Sequence, residues 1–313
     1  MSGAARSSEQ EIKSLRSLAE WISCGSTPRD ELVVGSEHEK LVFQKQNNRP
    51  AKFYGENGLE EYLQRFSKYN WTPVYEGEHI IEMKRGTATL SLEPSGQLEH
   101  STLVHQNLHQ LAQEIDGQID GAVELAKETN LQLVGLGYHP QETLKTLPRI
   151  PKTRYENFDG FMREIDGSNK KGLYVLYSTA STQANIGFED EADMVKKLRV
   201  SLALQPVVTA LFANSPFKGG RLSGAKSIRS KIVHNAGGGR YGYMLPVAFE
   251  EGFGFERFAD YALNEMPMLG LYQNGRFVNV EGAHFSDMIE GRVPAAEGRA
   301  ATMNDWEDHL NCI

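Results

Sequence analysis

Hydrophobic residues recur at helical spacing in three stretches of the chain. From Ser14 to Ile22, apolar residues recur at the spacing that places them on one face of an amphipathic helix. A long second helix is predicted by apolar residues three and four positions apart, namely Leu108, Leu111, Ile115, Ile119, Val123 and Ala126. A third helix is predicted to open at Asp190 or Glu191 and to run through Phe212. Pro206 predicts a kink in it, because proline has no N–H to donate.

Strand-like segments lie between these helices. Leu32 to Phe43 predicts a strand, and His79 to Glu93 predicts a hairpin that turns near Arg85-Gly86. Further strands are predicted at Leu131 to Leu136, Gly172 to Phe188, Met268 to Tyr272 and Phe277 to Val280, the last two joined by a turn at Asn274-Gly275. Strands separated by long helices, without regular βαβ alternation, predict one α+β domain in which an antiparallel sheet carries helices.

Composition narrows the class of protein. Of the 313 residues, 40% are hydrophobic and 24% are charged, which is typical of a globular protein with a sizeable core. No apolar run approaches the roughly 20 residues that span a bilayer, and the polar N-terminus does not resemble a signal peptide. We therefore expect a cytosolic location and no membrane partner. The only cysteines, Cys24 and Cys312, are expected to be reduced thiols.

The net charge argues against a nucleic-acid partner. It is −8, and the basic residues are scattered among acidic ones, whereas nucleic-acid binding depends on clustered Lys and Arg. The same charge is compatible with a nucleotide, because bound Mg²⁺ can bring ATP to a pocket rich in carboxylates.

Two glutamates on the first predicted strand are candidate metal ligands. Glu37 and Glu39 share one face of the strand, because side chains alternate with period two. Burying two like charges is costly unless a cation compensates them, and hard cations such as Mg²⁺ bind carboxylate oxygens. The pair alone is equally compatible with a solvated strand face at the edge of a sheet.

A second pair of glutamates changes this balance. Glu93 lies at the end of the predicted hairpin, and Glu99 lies just past a Pro-Ser-Gly turn. The turn can fold back so that both carboxylates face one site. Four glutamates on two strand-rich segments predict a platform for two or three metal ions, because such a platform needs several acidic ligands.

Candidate substrate ligands follow later in the chain. Gln183 and Asn185 share one face of a predicted strand and offer neutral amides to a metal or a substrate. Arg229 has a planar guanidinium group suited to hold a carboxylate. Taken alone, each of these residues is weak evidence for a substrate site. An isolated arginine, for example, is more often a surface residue.

Several of these segments resemble a known enzyme family. Glu37-His-Glu-Lys40 and Ser91-Leu-Glu-Pro-Ser-Gly-Gln-Leu-Glu99 resemble the bacterial and plant-type glutamate–cysteine ligases. Further segments with the same resemblance are Gly135-Leu-Gly-Tyr-His-Pro140, Glu191-Ala-Asp-Met-Val195, Ser201-Leu-Ala-Leu-Gln-Pro206, Leu211-Phe-Ala-Asn-Ser-Pro-Phe217 and Glu251-Gly-Phe-Gly-Phe-Glu-Arg257. The match runs in order from about Leu32 to His309, so it covers most of the chain.

The resemblance implies a fold and a reaction. The fold is glutamine-synthetase-like, a curved antiparallel half-barrel sheet that holds Mg²⁺ and ATP. The reaction is the first step of glutathione biosynthesis: ATP phosphorylates the γ-carboxylate of glutamate, and the amine of cysteine displaces phosphate from the γ-glutamyl phosphate. The implied substrates are the small molecules glutamate, cysteine and ATP.

The resemblance also implies roles for individual residues. The positions that match metal ligands are Glu37, Glu39, Glu93 and Glu99. Gln183 falls on a strand position that contacts metal or substrate, with Asn185 on the same face. Arg229 matches a catalytic arginine that holds a substrate carboxylate, and Tyr241 lies close to a position that borders the cysteine pocket.

The chain departs from the family pattern in three places. Ser178 stands where relatives carry an arginine, and His234-Asn-Ala-Gly-Gly-Gly-Arg240 replaces an Asp-rich loop. Family members also continue beyond the Asp305-Trp-Glu-Asp-His-Leu310 segment for roughly another third of the chain. We therefore expect residues 1–313 to form a single catalytic-type domain truncated at its C-terminus. Three readings stay open: an incomplete chain, a partner chain that supplies the missing region, or a lost activity. The amine acceptor also stays open.

Two other patterns are weaker. Gly237-Gly-Gly-Arg-Tyr-Gly242 fits a dinucleotide-binding motif formally, but it lacks the strand–turn–helix context that such a motif needs. His105 and His109 are one helical turn apart and have the chemistry of zinc ligands. Histidines on a helix surface are the more common explanation of that spacing.

Overall fold

The computed structural model describes residues 10–166, 171–236, 244–280 and 282–311. Its strands are β1 (Val34–Gln44), β2 (Thr72–Glu76), β3 (His79–Arg85), β4 (Ala88–Leu92), β5 (Leu98–Ser101), β6 (Leu131–Val134), β7 (Thr182–Ile186), β8 (Phe217–Lys218), β9 (Arg221–Leu222), β10 (Leu271–Gln273) and β11 (Arg276–Val278). The described α-helices are α1 (Leu15–Ser23), α2 (Leu59–Arg65), α3 (Leu108–Glu128), α4 (Thr153–Asp166), α5 (Lys171–Ser178), α6 (Glu191–Leu211), α7 (Ile228–His234), α8 (Leu245–Ala248), α9 (Phe255–Asn264), α10 (Phe285–Ile289) and α11 (Met303–Asn311).

The central feature of the fold is a seven-stranded sheet with strand order β2-β3-β4-β5-β1-β6, in which β7 also pairs with β1. The strand pairings are antiparallel, and the sheet is open rather than closed into a barrel. β7 pairs with the first half of β1 and β6 with its second half. The predicted α+β class with an antiparallel sheet is therefore confirmed.

The two faces of this sheet differ in polarity. One face packs on α2 and α3 and forms the largest core cluster, to which β3 and β4 contribute Met83 and Leu90 and α2 contributes Tyr62. Because strand side chains alternate between the faces, the neighbouring positions lie on the opposite face. That face carries polar residues, among them Ser91 of β4 and Glu99 of β5.

Local capping and turn residues explain several boundaries that the sequence predicts. Ser14 caps α1 by accepting a hydrogen bond from the N–H of Ser17. The β10–β11 hairpin turns at Asn274 and Gly275, which have φ angles of 52° and 79°. Positive φ at both central residues is what a tight two-residue hairpin turn requires. The predicted hairpin at this site is confirmed, with shorter strands.

The prediction of one long strand from Gly172 to Phe188 is wrong for its first half. Lys171–Ser178 forms α5, and only Thr182–Ile186 forms a strand. Leu173 and Tyr177, four positions apart, are both buried in a cluster with Phe161 of α4. Side chains at that spacing share one helix face, so packing on α4 favours helix in a segment whose residues are typical of strands.

The third predicted helix forms as α6, with Asp190 as its N-cap and Pro206 inside it. None of its 21 residues is buried. Large apolar side chains on its C-terminal half are exposed, namely Val200, Leu204, Val207, Val208 and Leu211. In the part of the chain that is described, no helix combines the length and apolarity needed to cross a membrane.

Candidate metal and substrate site

The four predicted glutamates converge on the polar face of the sheet. Glu37 and Glu39 lie at alternate positions of β1, so they point to the same face. Glu39 stands directly opposite Glu99 of β5 in the antiparallel register, and Glu37 stands opposite Ser101. Directly opposed residues have Cβ atoms only about 5 Å apart, and like charges at such positions repel.

The Pro-Ser-Gly turn brings the fourth glutamate to the same place. The N–H of Glu93 donates to the carbonyl of Gln97 at 2.9 Å, and the N–H of Gly96 donates to the carbonyl of Glu93 at 2.8 Å. Gly96 has a φ of 84°, which favours glycine at this position of the turn. The turn therefore folds back as predicted and places Glu93 beside β5.

Crowding shifts the pKa values of these carboxyl groups. Burial, and then the charges of Glu93 and Glu99, raise the pKa of Glu39 to about 8. The Ser181 N–H and hydroxyl, at 3.1 and 3.0 Å from the two Glu39 oxygens, act in the opposite direction. Burial and the charge of Glu93 also raise the pKa of Glu99, which is 3% exposed. The cluster is therefore short of positive charge.

A divalent cation fits this chemistry. Carboxylate oxygens are the ligands that Mg²⁺ prefers, and a cation would compensate the repulsion between Glu39, Glu93 and Glu99. Among residues 10–166, 171–236, 244–280 and 282–311, no three acidic, cysteine or histidine side chains already surround a single metal position. The glutamates thus form an open cluster whose side chains would have to close on an ion.

The two predicted amide residues border the cluster at the edge of the sheet. Gln183 of β7 stands opposite Glu37 of β1 in the register. The side-chain amide of Asn185 donates to the Glu37 carboxylate at 3.2 Å. Both amides are exposed, so they are available to a small molecule that approaches from this edge.

Arg229 lies on the same side of the molecule. It belongs to α7, and its backbone N–H donates to the hydroxyl of Ser215 at 3.2 Å. Its side-chain Nε is buried without a hydrogen-bond partner among the described residues. Burial lowers the pKa of Arg229, and the charge of Glu39 partly opposes that shift. A buried guanidinium nitrogen without a partner is suited to receive a carboxylate.

Tyr241 and the loop that contains it give no further information. Residues 237–243 lie outside the described residues, and they include the whole of the formal Gly-rich motif. Ser178 is buried at the end of α5, and its carbonyl accepts a hydrogen bond from the N–H of His139 at 2.7 Å.

Two residues that the sequence analysis did not single out adjoin the cluster. The hydroxyl of Tyr155 donates to the Glu93 carboxylate at 3.1 Å, and the ammonium of Lys152 donates to the carbonyl of Leu92 at 2.8 Å. Lys152 immediately precedes α4 and Tyr155 lies in its first turn, about 60 positions after Glu93. No periodicity or short motif links them to the glutamates.

A chain of polar side chains crosses the opposite face of the sheet. His38 Nε2 lies 3.1 Å from His100 Nδ1, and His100 Nε2 lies 3.6 Å from the Glu114 carboxylate. Burial is the largest cause that lowers the pKa of His38 to about 4 and that of His100 to about 3. Glu114 also contacts His105 at 2.6 Å, whereas His109 is exposed. His105 lies before α3 and His109 lies within it, so the two histidines do not sit one turn apart on one helix.

Comparisons with known proteins match nearly the whole chain. The family model Glutamate-cysteine ligase family 2 (GCS2) matches residues 33–310. Glutamate–cysteine ligase A, chloroplastic, of Oryza sativa subsp. japonica is 37% identical over 300 residues, which cover 95% of this chain and 59% of the relative. The Medicago truncatula ligase is 37% identical over 297 residues, 95% of this chain and 57% of the relative. The Arabidopsis thaliana ligase is 36% identical, with 95% and 55% covered.

Two facts follow from these matches. The chain spans somewhat more than half the length of these curated relatives, between 55% and 59%. The relatives are named chloroplastic, so the cytosolic location expected from the polar N-terminus is contradicted.

Proposed function

Because this chain belongs to glutamate-cysteine ligase family 2 (GCS2), we propose that it joins the γ-carboxylate of glutamate to the amine of cysteine at the expense of ATP. The product is γ-glutamylcysteine, and the reaction is the first step of glutathione biosynthesis. The observation that carries the proposal is the convergence of four glutamates, from three neighbouring segments of the sheet, on one polar face.

In this proposal the glutamate cluster binds Mg²⁺. Glu37, Glu39, Glu93 and Glu99 would supply the carboxylate oxygens. The ion would offset both the burial of these charges and their mutual repulsion, which together raise the pKa values of Glu39 and Glu99. When bound, Mg²⁺ supplies electrostatic stabilisation of the charge on the phosphoryl group that is transferred from ATP. Ser181 holds both oxygens of Glu39 in a fixed orientation.

The remaining candidate residues bind and orient the amino-acid substrates. The guanidinium of Arg229 takes a carboxylate of glutamate, and the amides of Gln183 and Asn185 contact the substrate at the open edge. An oxygen of the γ-carboxylate attacks the terminal phosphorus of ATP, and ADP leaves. The amine nitrogen of cysteine then attacks the acyl carbon, phosphate leaves, and one amine proton is released. Tyr241 is proposed to border the cysteine pocket.

A second candidate is a chain that needs another polypeptide for activity. The outer edge of β7 has no partner strand in the described sheet. An unpaired edge accepts an added strand, and Gln183 lies on that edge. In this candidate, a partner chain equivalent to the unmatched part of the relatives completes the sheet beside the glutamate cluster.

The decisive experiment is mass-spectrometric detection of γ-glutamylcysteine. The purified 313-residue chain is incubated with ATP, Mg²⁺, glutamate and cysteine, and a reaction without ATP is the control. Product that depends on ATP supports the ligase. Glu39→Gln and Glu99→Gln should each reduce the rate by about a hundredfold or more, because each removes a metal ligand.

Different results select different alternatives. Activity that survives both substitutions in folded protein would exclude the glutamate cluster as the metal site. Absence of product from folded wild-type chain would exclude activity of this chain alone and favour the partner-dependent candidate. If product forms only when another amine replaces cysteine, the acceptor is a different amine, and the ATP-dependent activation of glutamate still holds.

A further inference from the structure

The ammonium group of Lys152 lies at the end of β4, next to the glutamate cluster. The segment just before α4 passes over the point where β4 leads into Glu93, and Lys152 Nζ donates to the carbonyl of Leu92 at 2.8 Å. The same nitrogen lies 3.4 Å from the hydroxyl of Tyr155. The side chain is half-buried, so its charge is only partly screened by water.

Tyr155 connects this ammonium group to a proposed metal ligand. Its hydroxyl accepts from Lys152 Nζ at 3.4 Å. Its single hydrogen lies within reach of two acceptors, the Glu93 carboxylate at 3.1 Å and the carbonyl of Leu92 at 3.2 Å, and the charged carboxylate is the stronger acceptor. The backbone N–H of Tyr155 donates to the carbonyl of Lys152 at 2.9 Å, which fixes the two residues relative to each other. The lysine, the tyrosine and the glutamate therefore form one hydrogen-bonded series.

The charges around Lys152 are negative. The carboxylates that interact with it electrostatically belong to Glu93, Glu82, Glu99 and Glu76, in descending order. They come from four different segments of the sheet, and two of them are proposed metal ligands. By contrast, Lys84 of β3 lies 3.3 Å from Glu82 and is 52% exposed, so its charge is largely compensated by solvent and that single partner.

We propose that Lys152 is a resident cation of the glutamate cluster, which holds Glu93 in place through Tyr155 and limits the affinity of the cluster for divalent metal ions. The inference rests on the proposed function, because it takes the cluster as a metal site. The ammonium compensates part of the negative charge when no metal is bound. It repels the metal when one is bound, so Mg²⁺ can leave with the nucleotide product.

The test is a titration with Mn²⁺, a paramagnetic substitute for Mg²⁺, in the absence of ATP and amino acids. Free Mn²⁺ is measured by electron paramagnetic resonance at low ionic strength. Lys152→Met removes a positive charge close to the metal and should lower the dissociation constant about threefold or more. Lys152→Arg keeps the charge and should remain within about twofold of wild type. Lys84→Met is the matched control and should leave the affinity unchanged.

The sign of the change separates this role from a purely structural one. If Lys152 only supports the fold around Glu93, Lys152→Met should bind Mn²⁺ more weakly or equally, and either result would overturn the proposal. Lys152→Gln provides a second neutral variant, and failure of both variants to fold would also overturn it. Wild-type chain that binds no Mn²⁺ would instead refute the metal site of the proposed function.

Discussion

At the scale of single residues, the raised pKa of Glu39 makes the stability of the chain depend on pH. Its pKa is raised from 4.5 to about 8. Between these values the folded state keeps a proton that the unfolded state has lost, so the free energy of unfolding falls as the pH rises. His38 and His100 have lowered pKa values and act in the opposite direction, but only below their ordinary value of 6.5.

Above pH 6.5 these two histidines no longer oppose the buried carboxyl groups, and the raised pKa of Glu99 acts in the same direction as that of Glu39. In a buffer with a chelator, we expect the free energy of unfolding, measured with urea, to fall by about 1 kcal/mol between about pH 6.5 and pH 8, a value reduced for solvent screening. Glu39→Gln should reduce the decline by more than half, because its amide does not titrate and the variant also removes one charge next to Glu99. The same decline in the Glu39→Gln variant would show that another group causes it.

At the scale of elements, α6 depends on its N-cap because no residue of this helix is buried. The Asp190 carboxylate accepts the N–H of Asp193 at 2.8 Å. Asp190→Ala removes this bond and should lower the free energy of unfolding by about 1 kcal/mol, which corresponds to a thermal midpoint about 1.5 °C lower in a chain of this size.

Asp190→Asn is the matched control for this prediction. Asparagine caps helices about as well as aspartate, so the thermal midpoint of this variant should lie within about 1 °C of wild type. Hydrogen exchange at residues 191–195 should become faster in Asp190→Ala alone. Equal destabilisation by both substitutions would show that the charge of Asp190, rather than its hydrogen bond, stabilises the helix.

At the scale of the whole molecule, α6 carries an apolar face that the described fold leaves uncovered. Leu204 and Leu211 are 48% and 73% exposed, whereas Leu202 of the same helix packs on the cluster around Ala248. Contiguous exposed apolar residues of this kind mark interaction sites. The face lies on the helix that follows β7, whose edge is also open.

Substitutions on the two sides of α6 should therefore differ in effect. Leu204→Gln with Leu211→Gln should leave the thermal midpoint unchanged within about 1 °C and reduce self-association in light scattering, because these side chains are exposed to water. Leu202→Gln, the matched control, should cost about 1–3 kcal/mol. A large loss of stability from the double substitution would indicate that the face is covered in solution, and a second copy would then be the simplest cover.

Much of the architecture could be predicted from sequence because its signals are local. Helical spacing of apolar residues identifies α3, period-two alternation places Glu37 and Glu39 on one face, and the Pro-Ser-Gly turn brings Glu93 towards Glu99. Packing overrode such a signal in α5, whose residues are typical of strands but whose Leu173 and Tyr177 are buried together against α4.

The sequence by itself determined the family, the antiparallel sheet and the four glutamates, since these follow from collinear motifs and from the periodicity of neighbouring residues. Only the tertiary structure decided the pKa values of those glutamates and the side chains that hydrogen-bond to them. Ser181 reaches Glu39 across 142 positions, and Lys152 reaches the end of β4 across 60. The pKa of a carboxyl group depends on burial and on nearby charges, and both arise only when distant segments pack together.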